Sequence, residues 1–215
     1  PVDTIKIDQS FVRDMLDDPS DYAIIDGVIG LSNSFNRHVI AEGVETTAHG
    51  IILLIMGCHY AQGYGIAKPM PAEELPNWLS SYKPNEEWQK YGHSHNSIKD
   101  NNATLFELIS QRWETRFINC LQSSPENNPI FPIMDSKECH CGNWIKRAKH
   151  DQLFEGHWLH DLDDKHEALH QYAVNLHIAY QDGNVDQARE NLVELTRLFE
   201  EMHSWGSMND WDILL

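Results

Sequence analysis

The sequence lacks any long apolar run and is poor in positive charge. Apolar residues make up 41% of its 215 positions, an ordinary share for a globular protein. None of them line up into a stretch that could span a bilayer. The N-terminus has no basic patch followed by an apolar core, so no secretory leader is visible and a cytoplasmic location is expected. Lys and Arg number 16 against 33 Asp and Glu, a net charge of −17 with histidines neutral. Residues 1–82 carry −7 of this, residues 83–99 carry +1 and residues 100–215 carry −11. Neither half offers the basic footprint that duplex nucleic acid or an anionic membrane requires. A single small phosphate ligand needs only a few residues and a metal.

Cysteine is also scarce, with four residues at 58, 120, 139 and 141 beside 13 histidines. Cys139 and Cys141 are too close in sequence to pair easily, and nothing points to secretion. Reduced thiols, one or two of them with a metal role, are the expectation. No internal repeat is present.

What is there divides in two. Residues 1–82 show a strand–helix rhythm repeated three times. Thr4-Ile5-Lys6-Ile7-Asp8 reads as a strand, followed by a helix through Ile24, Ile25, Val28, Ile29 and Leu31 with Asp21 as its cap. His38-Val39-Ile40-Ala41-Glu42 is the second strand, and its helix runs from about Thr46 to Met56 and stops at Gly57. Tyr60-Ala61-Gln62-Gly63-Tyr64 is the third strand, after which Pro71 opens a last helix. Such units imply parallel pairing with right-handed crossovers. Three are too few for an open doubly wound domain and make less than half of an eight-stranded barrel, so sheet partners are expected upstream.

Residues 83–103 are polar and read as a linker, in which His93 and His95 are a weak metal candidate. Residues 104–215 have no strand signal of note. Helices are expected from about Thr104 to Leu121, from near Ser136, from about Asp163 to Tyr180, and after Asn184. This is the pattern of an antiparallel four-helix bundle. The expected fold class is therefore α/β plus all-α.

Lys6, Glu42 and Gln62 sit at or near the C-terminal ends of the three strands. In a (β/α) barrel that end carries the chemistry: a lysine holds a water or phosphate oxygen, a carboxylate binds a hard cation, an amide orients a ligand. The chain opens Pro1-Val2-Asp3-Thr4-Ile5-Lys6-Ile7-Asp8. Later come Val39-Ile40-Ala41-Glu42-Gly43-Val44-Glu45-Thr46 and Gly57-Cys58-His59-Tyr60-Ala61-Gln62-Gly63-Tyr64, then Lys68-Pro69-Met70-Pro71. These motifs resemble, in order and spacing, the C-terminal part of the EAL family of cyclic di-GMP phosphodiesterases. The resemblance implies a (β/α)8 barrel of the TIM type. It implies that Lys6 holds the nucleophilic water, that Glu42 is a carboxylate at or just outside the metal shell, and that Gln62 lies beside the water. Glu45 would be a more structural acid. The chemistry implied is two-metal hydrolysis of cyclic di-GMP to linear pGpG with Mg or Mn. The chain departs from the family in lacking the Glu-Ala-Leu motif, the asparagine, the further glutamate and the paired aspartates that lie upstream of Lys6. The chain alone is therefore expected to be inactive.

In the second half, His166-Glu167-Ala168-Leu169-His170 sets two histidines at i and i+4 on one helix face, a spacing at which both reach one ion. With Cys139 they make a thiolate and two imidazoles, a set that suits zinc better than magnesium or calcium. The segment Cys139-His140-Cys141-Gly142-Asn143-Trp144, with those histidines, resembles the chemoreceptor zinc-binding (CZB) domain, a four-helix bundle. That resemblance implies zinc on Cys139, His166 and His170. The family's fourth ligand is a histidine three residues before a tryptophan. Here the tryptophan matches Trp113 and the histidine position is Ser110, a poor ligand. Water, Cys141, His140 or Cys120 are the open alternatives. His177, two turns past His170, reads as a core or groove histidine. Three functions remain in view: part of a phosphodiesterase tuned by a zinc bundle, a non-enzymatic zinc-binding sensor or dimerisation module with a degenerate barrel remnant, and a purely structural bundle without metal. An assembly of more than one copy is expected.

Overall fold

The computed structural model describes residues 2–93, 97–154 and 157–207. The chain divides into two compact units, Pro1–Asn101 and Asn102–Leu215.

The first unit is built on three parallel strands in the order β1-β2-β3: β1 (Thr4–Ile7), β2 (His38–Glu42) and β3 (Tyr60–Gln62). Between β1 and β2 lie a short helix, α1 (Gln9–Asp14), and a longer one, α2 (Pro19–Ser34). Helix α3 (Thr47–Ile55) joins β2 to β3, and α4 (Leu75–Ser81) follows a 3-10 turn. The first three helix starts have a local cause. Asp8 caps α1 by accepting from the Ser10 amide at 2.8 Å, and Thr46 caps α3 through the His49 amide at 3.2 Å. The cap of α2 is Asp18, which accepts from the Ser20 amide, and not Asp21. Pro19 is the reason: its fixed φ and missing N–H suit the first helical position, so the helix starts one turn earlier.

The strand period of two sorts the side chains. Ile7, Val39 and Ala41 are buried, and with Val12, Met15, Ile25, Ile52 and Leu53 they form the core of this unit. The opposite face carries Lys6 and Ile40, paired across β1 and β2, then Glu42 and Gln62, paired across β2 and β3.

Residues 83–103 are not a plain linker. Helix α5 (Glu86–His93) packs on α3. The Trp88 indole donates to the Thr47 carbonyl at 2.9 Å, and its ring lies where a side chain on Gly50 would stand, 2.2 Å from an added Cβ. The helix was hidden by its polarity: only one side is covered, so its sequence reads as solvated. His95 lies outside the described residues, as does the side chain of His93.

The second unit is helical. It contains most of α6 (Ile98–Gln122), then α7 (His140–His150), α8 (Trp158–Gln181), α9 (Val185–Glu190) and α10 (Leu192–Ser207). The first helix begins earlier than its periodicity indicates, the second begins at His140 and not near Ser136, and the last is divided at Asn191. Helix α8 packs against α7, α9 and α10. Helix α6 runs in the same direction as α8, since the Tyr180 hydroxyl near the end of α8 donates to the Ser123 carbonyl just past the end of α6. Arg189 ties α9 to the same end through the Leu121, Gln122 and Ser123 carbonyls. Phe117, Leu121, Ile109, Ile145, Leu169, Leu195 and Met202 are fully buried between these helices. Burying each such side chain contributes about 1.5–3 kcal/mol against the entropy of ordering the chain.

Candidate functional site

Two clusters carry chemistry, one in each unit. The first lies on the exposed face of the sheet. Lys6 forms an ion pair with Glu42, and the Gln62 amide donates to the same carboxylate oxygen at 3.2 Å. The parallel register produces this set, because Glu42 and Gln62 are direct partners and Lys6 pairs with Ile40, two residues before Glu42 on the same face. Lys6 is half exposed, so the pair is screened and adds little to stability. An open groove of 590 Å³ lies beside it, lined by Asp8, Glu42, Glu45, Gln62, Tyr64 and Lys68 among others. Asp8 and Lys68, both inside the motifs, add a carboxylate and an ammonium to the lining. The Asp8 carboxyl is held below its ordinary value by the Ser10 amide and hydroxyl.

Lys6, Glu42, Gln62 and Glu45 thus share one region, which has the means to hold a phosphate oxygen and orient a water. It does not fit a resident pair of divalent ions by itself. Among the described residues its carboxylates bring no three ligand atoms together, and Glu42 is already engaged by a lysine. The tripeptide Glu167-Ala168-Leu169 does not alter this, since it lies within α8 with Glu167 and Ala168 exposed.

The second cluster is buried. Cys139, His166 and His170 offer three ligand atoms that all lie within 4.8 Å of one another. Helix α8 supplies both histidines from one face, one turn apart. Cys139 is the N-cap of α7, where its sulfur accepts from the Gly142 amide at 3.3 Å and meets His166 Nε2 at 3.2 Å. The loop before α7 folds tightly over this end. A Cβ on Gly142 would lie 1.9 Å from the Ser136 carbonyl oxygen, which is why only glycine stands there. His170 Nδ1 lies 2.8 Å from the Met134 carbonyl. A carbonyl can only accept, so Nδ1 carries the proton and Nε2 keeps its lone pair for a ligand.

The electrostatics favour a thiolate. Cys139 is held far below the ordinary thiol value by a hydrogen bond from Cys141, with a further contribution from His166, and these outweigh the opposing effect of burial. Cys141 moves the other way, raised by burial and by the neighbouring Cys139. A thiolate and two imidazoles are a donor set for zinc. His166 Nδ1 is buried and has no hydrogen-bond partner among the described residues. These residues fit a metal ion.

The structure separates the candidates for a fourth donor. Cys120 is engaged elsewhere, its thiol donating to the Ile130 carbonyl at 3.2 Å. Cys141 is buried and directed at Cys139 but stands outside the three-atom cluster. Ser110 is fully buried and bonds to His203 of α10 at 2.8 Å, a partner no sequence pattern indicated. His177 stacks on Phe131 with ring centroids 4.1 Å apart and belongs to the packing.

Comparison with known proteins bears on the first unit. Residues 1–69 match the EAL domain family. A cyclic di-GMP phosphodiesterase of Pseudomonas aeruginosa is 44% identical over 79 residues, 37% of this chain and 14% of that protein. The oxygen sensor protein DosP of Escherichia coli is 42% identical over 84 residues, 39% of this chain and 10% of that one. The cyclic di-GMP phosphodiesterase PdeR of Escherichia coli is 38% identical over 82 residues, covering 38% and 12%. The chain thus matches only about a tenth to a seventh of the length of these relatives.

Proposed function

We propose that the first unit is the C-terminal portion of an EAL-type barrel that hydrolyses cyclic di-GMP to pGpG by a two-metal mechanism. The second unit is then a CZB-like four-helix bundle that binds zinc and regulates it. The observation that carries the first half is the hydrogen-bonded set Lys6–Glu42–Gln62 at the ends of three parallel strands, in a segment similar to named cyclic di-GMP phosphodiesterases. Lys6 and Gln62 position the water, and Glu42 stands at the edge of the metal shell. The buried Cys139–His166–His170 cluster supports the second half. A cytoplasmic setting and assembly of more than one copy belong to the same proposal. No helix among the described residues is long and apolar enough to cross a membrane.

The 215-residue chain by itself does not turn over cyclic di-GMP in this reading, because Glu42 and Glu45 cannot cage two ions. The test incubates the chain with cyclic di-GMP and Mg or Mn and follows pGpG. Product formed at a rate that Lys6→Ala abolishes would overturn the claim of inactivity. For the zinc half, one equivalent of zinc should remain after purification without chelator. A Cys139→Ala, His170→Ala double variant should hold none, and an unchanged content would mean the site is elsewhere.

The ion pair that already occupies Glu42 favours a second reading, a zinc-binding sensor or dimerisation module carrying a degenerate barrel remnant. It predicts that cyclic di-GMP neither binds the chain nor is hydrolysed by it.

A further inference from the structure

A tetrahedral zinc site needs four donors, and Cys139, His166 and His170 supply three. Three rings place a fourth within the same layer of the helical unit. The Trp113 ring of α6 lies 4.6 Å from the His170 ring of α8 and 5.9 Å from the Phe199 ring of α10, centroid to centroid. Moving one turn toward the N-terminus of α6 leads from Trp113 to Ser110. One turn in the same direction along α8 leads from His170 to His166. Helix α10 runs against α8, since Tyr172 meets the Asn191 carbonyl at the start of α10 while His170 lies level with Phe199 further on. One turn onward in α10 therefore leads from Phe199 to His203. Ser110, His166 and His203 thus lie at one level. The contact that completes this layer is direct, for Ser110 Oγ and His203 Nε2 are 2.8 Å apart.

The hydrogen bonds of Ser110 show that it does not need His203. Its hydroxyl donates to the Glu107 carbonyl at 3.0 Å, so the one proton it has is already placed. Its oxygen then accepts from His203 Nε2–H, which leaves His203 Nδ1 with the lone pair. If the imidazole turns away, Ser110 keeps its bond to Glu107 and no buried hydroxyl is stranded. Ser110 is fully buried and small, so it leaves room for a ring that arrives from the neighbouring helix.

We propose that His203 is the fourth zinc ligand, its ring turned from Ser110 toward Cys139, His166 and His170 by a change of side-chain rotamer. This rests on the zinc reading of Cys139, His166 and His170. It makes the site a link between α7, α8 and α10, so zinc ties the last helix to the two that hold the other ligands. Regulation by zinc would then be exerted on α10 as well as on the α7–α8 pair.

The experiment uses the full chain, stripped of metal with chelator, then titrated with zinc against a chromophoric chelator and separately loaded with cobalt(II). The variants are His203→Ala, His203→Gln, Cys141→Ala, and His203→Ala combined with Ser110→His. Circular dichroism of the metal-free chains controls for folding. We expect both His203 variants to bind one equivalent of zinc at least about 10-fold more weakly. Their cobalt visible bands should change as a nitrogen donor is replaced by water, and Ser110→His should restore both affinity and spectrum. Cys141→Ala should leave the coordination spectrum unchanged. Wild-type affinity and spectrum in both His203 variants would overturn the assignment, as would a change of cobalt spectrum confined to Cys141→Ala. Zinc content that survives the Cys139→Ala, His170→Ala double variant would instead sink the underlying three-ligand site.

Discussion

His170 Nδ1 donates to the Met134 carbonyl at 2.8 Å, so a loop residue that binds no metal sets which nitrogen of His170 is available to one. The same bond occupies a carbonyl of the half-buried stretch between α6 and α7. His170→Ala therefore removes two things at once. In the presence of chelator the variant should lose about 1–3 kcal/mol in urea unfolding, the cost of leaving a carbonyl and its surroundings unsatisfied. In the wild type, zinc at about 100 times its dissociation constant should add about 2.7 kcal/mol. The variant should show no such increment. A zinc increment of wild-type size in His170→Ala would remove His170 from the site.

Gly142 offers a test that does not touch a ligand. A Cβ there meets the Ser136 carbonyl oxygen at 1.9 Å, a backbone atom that cannot turn aside as a side chain would. Gly142→Ala must therefore shift the loop before α7 and carry Cys139 with it. The expected result is a destabilisation of about 1–3 kcal/mol, typical of overpacking, together with weaker zinc binding. Wild-type zinc affinity in this variant would show that the loop can move without disturbing the sulfur.

In the first unit, Trp88 fastens α5 to α3 through the Thr47 carbonyl and the space above Gly50. Trp88→Ala should cost about 1–2 kcal/mol, the worth of a partly buried ring and one hydrogen bond. It should also open residues 83–93 to limited proteolysis. Cleavage rates equal to the wild type would mean that α5 is held by something other than this ring.

Much of the first unit was legible because its signals are local. His38–Glu42 alternates, Thr46 is a cap and Gly57 ends a helix, so the second strand and its helix fall where periodicity puts them. Lys6, Glu42 and Gln62 stand out at or near strand ends, but strand-end polar residues are often only solvated, and it was the motifs around them that singled them out. Helix α5 was not legible because one half-buried tryptophan in eight mostly polar residues has no period. The Ser110–His203 pair was not legible for a stronger reason. The two residues are 93 positions apart, and only the packing of α10 beside α6 brings them together. Ser110 by itself read as a lost ligand.

The last prediction concerns protons. An ordinary cysteine titrates near 8.5, so at pH 7 it is mostly a thiol, and zinc must displace about one proton to bind it. Cys139 is different, because the Cys141 thiol and His166 hold it well below neutral pH. It is already a thiolate at pH 7, and zinc binding should release almost no proton from it. Cys141→Ala removes the largest of these effects and lets the Cys139 value rise toward the ordinary one. In that variant proton release at pH 7 should increase toward one, and zinc affinity should fall more steeply as pH is lowered. Whatever the imidazoles release is common to both chains and cancels in the comparison. Titration calorimetry in buffers of different ionisation enthalpy reads the difference directly. Equal proton release from wild type and Cys141→Ala would mean that the Cys141 thiol does not sustain the Cys139 thiolate.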